Sequence, residues 1–263
     1  MSSRHRSTQP PTGPDRHTLV TRLWTAGCVF AEEEVDLLLG AASGPELAEL
    51  LERRVAGEPL EHLLGRVDFC GLRLAVAAGV FVPRQRTAHL ARLAADLAPH
   101  VAVDLCCGVG AVAAVVAARR PDSRVVAADM DPAAVACAER NLPGAEVCCG
   151  DLFDPLPADL RGRVDVLAVN APYVPTGELA TMPPEARDHE PWLALDGGPD
   201  GLDVHRRVAA EAPSWLRSGG HLLAEVGEPQ VEAALALLTS VGLVPRVDHD
   251  EELGATVVLA RRT

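Results

Sequence analysis

The chain has 263 residues, of which 48% are hydrophobic, and this is enough for one core of ordinary size and a small accessory domain. Its formal net charge is −13. Because proteins bind phosphate backbones by neutralising them with Lys and Arg, this balance disfavours a nucleic-acid substrate. The sequence contains no apolar run of about 18 residues, which predicts a protein with neither a transmembrane helix nor a membrane partner.

The cysteines and the N-terminus indicate the cellular compartment and whether a metal site is expected. None of the seven cysteines has the CxxC spacing of a zinc site, so we expect no metal ion and a reducing, cytoplasmic compartment. Residues 1–17 are polar and proline-rich and lack the apolar segment of a secretory signal. We therefore expect a disordered tail there.

Residues 18–64 have the pattern of a small helical domain. Three segments with apolar residues at i, i+3 and i+4 follow one another, and Thr18 is a candidate N-cap for the first. We expect a connector at residues 65–87, because two short alternating segments, 66–69 and 72–76, predict a β-hairpin.

The repeating pattern of a parallel α/β sheet occupies residues 88–263. Residues 101–105 predict a buried strand, which a turn containing Gly108 and Gly110 and then an apolar helix follow. The next strand ends in Asp129, about 20 residues past the turn. A carboxylate at this place in a βαβ unit is typical of one that binds the two hydroxyls of a ribose.

An acid also precedes the glycine turn. Asp104 lies at the end of the first strand, where a carboxylate would repel a phosphate but suits an ammonium or a sulfonium group. The turn also lacks part of the G-x-G-x-x-G pattern of dinucleotide sites. Both features favour S-adenosylmethionine over a dinucleotide as the cofactor.

The third strand, residues 146–149, leads to another acid, Asp151. One interpretation is that Asp151 accepts the amino group of an adenine, with Leu152 or Phe153 against the ring. The other is that Asp151 caps a helix.

The fourth strand ends in Asn170, Ala171, Pro172 and Tyr173. The Asn side chain and the carbonyl of Ala171, which Pro172 restricts, could accept both N–H bonds of a planar NH2 group at the mouth of an α/β crevice. The alternative is a strand-terminating turn without a ligand.

Two loops remain open to more than one interpretation. Pro83 and Arg84 stand just before a helix, in either a plain turn or a position that places the arginine over a ligand. The long segment 183–203 is rich in proline and glycine, which favours a substrate-covering lid.

Five stretches carry a resemblance to a known family: residues 57–65, residues 82–84, the glycine turn, the Asn-x-Pro-Tyr at 170–173, and residues 187–191 with Ala194, Leu195 and Gly197. Over about residues 18–262, the chain resembles the release-factor glutamine N5-methyltransferases, the HemK/PrmC-like group. The resemblance implies an α/β fold of the class I SAM-dependent methyltransferases. That fold is a Rossmann-like, seven-stranded, mostly parallel sheet, here with a small N-terminal helical domain.

The resemblance also implies roles by position. It assigns the cofactor to Asp104, Cys106, Gly108, Gly110, Asp129, Asp151, Leu152 and Asn170. It assigns catalysis and glutamine binding to Asn170, Ala171, Pro172 and Tyr173, and further substrate contacts to Arg84, Glu190 and Pro191. The implied substrate is the Gln of a Gly-Gly-Gln motif in a peptide chain release factor, which the helical domain would grip.

Three positions depart from the family pattern. Ala171 replaces the first proline of Asn-Pro-Pro-Tyr, Cys106 replaces the first glycine of the turn, and Ala88 replaces an acid. These changes indicate a divergent branch. Three rival functions remain: an exocyclic-amine methyltransferase of nucleic acid, which would need a basic face, a cofactor-binding module without activity, and a small-molecule N-methyltransferase.

Overall fold

The computed structural model describes residues 15–263, which divide into two compact units between Leu64 and Gly65. Each unit has its own hydrophobic core. Among the described residues, no helix is both long enough and apolar enough to cross a bilayer.

In its described part, the first unit consists of four helices: α1 (Arg16–Thr25), α2 (Ala31–Ala41), α3 (Gly44–Val55) and α4 (Leu60–Leu64). Their apolar stripes bury Leu23, Val35 and Leu51 almost completely, as the i, i+3, i+4 spacing predicts. An ion pair of 2.6 Å between Arg54 and Glu34 lies at the edge of this core, with both side chains largely buried.

The N-terminal boundary differs from the prediction. Residues 1–14 of the predicted tail lie outside the described residues, but α1 already begins at Arg16. Asp15 is the N-cap instead of Thr18, and its carboxylate accepts the backbone N–H of Thr18 at 2.7 Å. An Asp in extended conformation before a helix satisfies an otherwise unpaired donor, which explains the earlier start.

The second unit, described throughout, starts with the predicted hairpin, β1 (Arg66–Phe69) and β2 (Leu72–Ala75). Cys70 and Gly71 both have positive φ, 50° and 79°, which is the geometry of the two-residue turns that match strand twist. Asn141 fixes the hairpin, since its side chain accepts from the backbone N–H of Ala75 and donates to the carbonyl oxygen of Ala75.

The main sheet of this unit has seven strands: β3 (Val101–Leu105), β4 (Arg124–Asp129), β5 (Glu146–Cys149), β6 (Val164–Val169), β7 (Leu216–Glu225), β8 (Leu243–Asp250) and β9 (Ala255–Arg262). Their spatial order is β5-β4-β3-β6-β7-β9-β8. The strand β9 runs antiparallel to both of its neighbours, β7 and β8, and the other six strands share one direction. The predicted seven-stranded, mostly parallel sheet is therefore confirmed.

Six helices of this unit complete the fold: α5 (Thr87–Asp96), α6 (Ala111–Arg119), α7 (Pro132–Asn141), α8 (Pro184–His189), α9 (Asp203–Trp215) and α10 (Val231–Ser240). The predicted loop 183–203 is thus partly helical. Pro184 occupies the first turn of α8, a position that tolerates the missing N–H, so its presence did not exclude a helix.

The strand order determines where a ligand can bind. The chain passes from β3 to one side through β4 and β5 and then returns to the other side through β6. Leu105 of β3 pairs with Val169 of β6, so the segments that follow both strands leave the sheet side by side. Such a reversal of strand order opens a crevice at the carboxyl edge.

Candidate functional site

A cavity of about 250 Å³ lies at this carboxyl edge. Its wall includes eleven of the residues that the sequence predicts for the site: Arg84, Cys106, Gly108, Asp129, Asp151, Leu152, Asn170, Ala171, Pro172, Tyr173 and Pro191. Asp104, Gly110 and Glu190 do not line it.

The glycine turn shapes one wall of the cavity. Cys106, Gly108 and Gly110 all have positive φ, so Cys106 adopts a left-handed conformation that glycine reaches more easily. A Cβ on Gly108 would meet no atom within 4 Å. A Cβ on Gly110 would lie 2.8 Å from Leu142 Cδ1, so this glycine allows close packing behind the turn.

Asp104 lies behind the wall rather than in it. It is 3% exposed, and its carboxylate accepts the backbone N–H of Ala113 in the first turn of α6 at 2.9 Å. Burial raises the pKa of Asp104 to about 7, and the charge of Asp129 adds to the shift. Asp104 therefore does not face the cavity, where the sequence predicted its contact with a cationic group.

Asp129 lines the cavity at the end of β4 and is fixed by the backbone. Its Oδ2 accepts the N–H of Gly108 at 2.8 Å, and its Oδ1 accepts the N–H of Asp131 at 2.9 Å. Burial raises its pKa above the usual value of Asp. Because a carboxylate offers about four lone-pair sites, Asp129 can still accept from a hydroxyl group.

The third acid, Asp151, is paired with an arginine. Its Oδ2 accepts from a terminal nitrogen of Arg207 on α9 at 2.6 Å. The adjacent Leu152 is buried, lines the cavity and has a φ of 48°. An apolar side chain and a hydrogen-bonding carboxylate thus stand next to each other, as the adenine interpretation requires.

Asn170 and Ala171 present oxygen atoms that the protein does not use. The Asn170 Nδ2 donates to Thr87 Oγ1 at 3.2 Å, which leaves its Oδ1 facing away from that partner. Within residues 15–263, neither Asn170 Oδ1 nor the Ala171 carbonyl oxygen accepts a hydrogen bond from the protein.

Tyr173 is held at both ends. Its hydroxyl donates to Glu225 Oε1 at 3.1 Å, and its carbonyl oxygen accepts from Gln230 Nε2 at 2.8 Å. Burial and the charge of Glu225 raise the pKa of Tyr173 to about 12. The guanidinium of Arg86 lies 5.7 Å from the centre of the Tyr173 ring and lines the cavity beside it.

The sequence analysis missed Arg86 and Glu225. Glu225 ends β7, the strand beside the one that leads to Asn170, so the rule that located Asp104 and Asp129 could have found it. Arg86 carried no signal of its own, because its partner Glu225 lies 139 residues away.

Glu190 has a different place from the one predicted. It is 5% exposed, and it accepts the backbone N–H of Val82 at 3.1 Å and pairs with Arg84. It therefore ties the segment containing Pro191 to the Pro83–Arg84 turn, while Arg84 and Pro191 face the cavity.

The wall residues fit S-adenosylmethionine. A ribose would find the free lone pairs of Asp129, and a purine would find Leu152 and the apolar side chains of Met130 and Ala134. The acidic groups around the turn favour a cationic sulfonium and disfavour a phosphate. Within residues 15–263, no group of three or more His, Cys, Asp or Glu side chains is arranged to hold a metal ion.

The sequence of the chain is similar to those of known methyltransferases. Residues 72–182 match the family described as Methyltransferase small domain. The release factor glutamine methyltransferase of Geobacter sulfurreducens is 40% identical over 199 residues, which are 73% of this chain and 69% of that protein. The 4-amino-L-phenylalanine/4-methylamino-L-phenylalanine methyltransferase of Streptomyces pristinaespiralis is 37% identical, over 84% of this chain and 80% of that protein.

The fold is also that of a solved methyltransferase. The structure of a methyltransferase from Pyrococcus furiosus aligns with 82% of this chain and 98% of that chain, with a TM-score of 0.57 and 15% identity. The extent of the sequence similarity, together with the described cavity, identifies a methyltransferase whose cofactor is S-adenosylmethionine. The chain belongs to the release factor glutamine methyltransferase family.

Proposed function

We propose that this enzyme methylates the side-chain amide nitrogen of a glutamine in a protein, the Gln of the Gly-Gly-Gln motif of a peptide chain release factor. The observation that carries the proposal is the pair of unused acceptors, Asn170 Oδ1 and the Ala171 carbonyl oxygen, at the cavity. A primary amide has two N–H bonds, and two acceptors at one wall match them. The similarity to release factor glutamine methyltransferases supports the same substrate.

The chemistry needs no side chain that removes a proton beforehand. An amide nitrogen is a poor nucleophile because its lone pair is delocalised into the carbonyl. Two acceptors on its hydrogens raise the electron density on nitrogen and fix its direction. Asn170 and Ala171 provide these acceptors, and the proton leaves after the new bond has formed.

The cofactor would be held on the opposite side of the cavity, at Gly108, Asp129, Asp151 and Leu152. When bound, S-adenosylmethionine supplies a methyl group that its sulfonium makes electrophilic. Asp129 would take the ribose hydroxyls, and Leu152 would lie against the adenine.

Ala171 weakens one element of the site compared with the family pattern. Its φ is not fixed by a ring, although Pro172 still restricts its backbone to extended conformations. Ala171 is 2% exposed, so packing keeps the carbonyl in place where a proline would have done so covalently.

The decisive experiment uses radiolabelled S-adenosylmethionine and a purified release factor. We expect label on the wild-type factor and none on a factor with Gln→Ala in the Gly-Gly-Gln motif. Label that persists on the Gln→Ala factor would contradict the glutamine assignment, and label on nucleic acid would favour the exocyclic-amine alternative.

A second candidate substrate is a small amine that also carries a carboxylate. Arg84 and Arg86 both line the cavity. Arg84 is paired with Glu190, and the Nε of Arg86 donates to Glu225. Cations in this position suit a carboxylate. The Streptomyces pristinaespiralis relative is named for two amino acids with an aromatic amine. Methyl transfer to 4-amino-L-phenylalanine in the absence of any protein substrate would favour this candidate.

A further inference from the structure

Glu225 is a buried acid next to the amide site. It ends β7, and its side chain is 2% exposed. Val169 pairs with Ala224 in the parallel β6–β7 ladder. Glu225, the last residue of β7, therefore lies beside Asn170, the first residue after β6. The carboxylate therefore lies in the same layer of the structure as the predicted amide acceptor.

The contacts of Glu225 converge on the wall of the cavity. One oxygen, Oε1, accepts from the hydroxyl of Tyr173 at 3.1 Å and from Nε of Arg86 at 3.3 Å. The other oxygen, Oε2, is buried and has no hydrogen-bond partner in the described residues. The backbone carbonyl of Glu225 accepts from Nε2 of His205 at 3.0 Å, which fixes the strand end itself.

The Glu225 carboxylate depends on both of its hydrogen-bond partners. A buried carboxylate is costly unless it is paired and hydrogen-bonded, and here Tyr173 and Arg86 are its partners. If either side chain turned away, the carboxylate would lose one of its two hydrogen bonds. Glu225 thus holds an aromatic ring and a guanidinium in fixed positions, although it does not line the cavity itself.

We propose that Glu225 is a positioning residue that acts through Tyr173 and Arg86 to set the wall against which the acceptor substrate is placed. This inference rests on the proposed function for its consequence in catalysis. The carbonyl of Tyr173 is anchored by Gln230, so the hydroxyl contact with Glu225 is what fixes the far end of the ring.

The chain allows a test that needs no substrate, because Tyr173 is its only tyrosine. Replacement of tyrosine by fluorotyrosine gives a single fluorine NMR signal, and the fluorinated phenol titrates at lower pH than tyrosine itself. We expect the wild-type phenol to titrate above free fluorotyrosine. In E225Q the titration should move down toward the free amino acid, because a neighbouring negative charge is removed. In R86M it should move up, because a neighbouring positive charge is removed.

The matched control is E228Q, a change at an exposed acid three positions further on. In this variant the phenol at position 173 should titrate as it does in the wild type. A titration in E225Q that equals the wild-type titration would overturn the proposal. This result does not depend on which substrate is methylated, so it is separate from a failure of the glutamine assignment.

Kinetics then test the consequence for turnover. We expect E225Q to lose about tenfold in kcat/KM for the acceptor, with unchanged affinity for S-adenosylmethionine in calorimetry. Y173F should show a loss of similar size, and the double variant should be no worse than the less active single variant, since E225Q weakens and Y173F removes the same contact. Wild-type turnover in Y173F, or losses that multiply in the double variant, would overturn the proposal even if E225Q failed to fold.

Discussion

The two halves of the cavity satisfy their polar groups in different ways. On the side of β3 and β4, the carboxylates are already bonded to the backbone: Asp104 to Ala113, and Asp129 to Gly108 and Asp131. On the side of β6, one oxygen each of Asn170 and Ala171 accepts no hydrogen bond from any of residues 15–263.

This difference indicates how each half works. In the proposed cofactor half, the backbone already fixes the carboxylates of Asp104 and Asp129, so their positions need no ligand. The acceptor half has donors missing, and a substrate with two N–H bonds would supply them. Two acceptors in the wall of one cavity favour binding of a group that donates twice.

Substitution of Asn170 should separate the two halves most clearly. Asn170→Ala removes one amide acceptor and leaves the other groups assigned to the cofactor in place. We expect kcat/KM for the acceptor to fall by about 10²–10³, the loss typical of one removed transition-state contact. Calorimetry should show affinity for S-adenosylmethionine close to that of the wild type.

Thr87→Val provides the graded control for Asn170. It removes the hydroxyl that orients the Asn170 amide but leaves the Asn170 acceptor, so a smaller loss of kcat/KM is expected. If Asn170→Ala weakened cofactor binding by the same factor as it lowered kcat/KM, the two halves would not be separable.

The two glycines of the turn have different places. Gly108 forms part of the cavity wall, and Gly110 allows close packing that supports this wall. Gly110→Ala places a Cβ 2.8 Å from Leu142 at a positive φ, so we expect a loss of about 2 kcal/mol in the free energy of unfolding. The folded fraction should still bind the cofactor. Urea unfolding and calorimetry on the same samples measure both quantities.

Gly108→Ala is the matched counterpart, because its Cβ meets no protein atom within 4 Å. Its positive φ should cost about 1 kcal/mol in unfolding free energy, and the methyl group at the cavity should weaken cofactor binding about tenfold. Equal effects of the two substitutions on cofactor affinity would contradict the division into wall and support.

Much of the fold follows from local patterns in the sequence. The strands β3, β4 and β6 are apolar runs with a polar residue at or next to their carboxyl ends, and the sheet buries them on both faces. The same rule places Asp129, Asp151 and Asn170 at the carboxyl edge, because parallel strands all end there.

The remaining features depend on contacts that local patterns do not contain. Asp104 and Gly110 occupy predicted positions but lie behind the turn, since the direction of a side chain depends on how α6 and α7 pack. Glu190 reaches Val82 and Arg84 across more than 100 residues. Such pairs arise from the tertiary fold, so the sequence could name the residues but not their partners.

Asp104 should give the smallest of these effects. It is an acid of the proposed cofactor half, and among the described residues one backbone donor, the N–H of Ala113, bonds to its carboxylate. Its pKa rises from the unfolded value of 3.8 to about 7 in the folded state. The folded protein therefore binds an extra proton in this window, and its stability should fall as pH rises through it.

The expected loss from Asp104 between pH 6 and pH 7 is about 1 kcal/mol in the free energy of unfolding. Asp104→Asn keeps an acceptor for the Ala113 N–H without the titrating charge. The free energy of unfolding of this variant should therefore change less with pH over this range. Urea unfolding at several pH values measures the difference, and Asp122→Asn at an exposed acid is the control. A wild-type slope that survives in Asp104→Asn would place the titrating group elsewhere. If saturating S-adenosylmethionine reduces the slope, its positive charge is sensed across the turn, and the cofactor half then depends on its ligand after all.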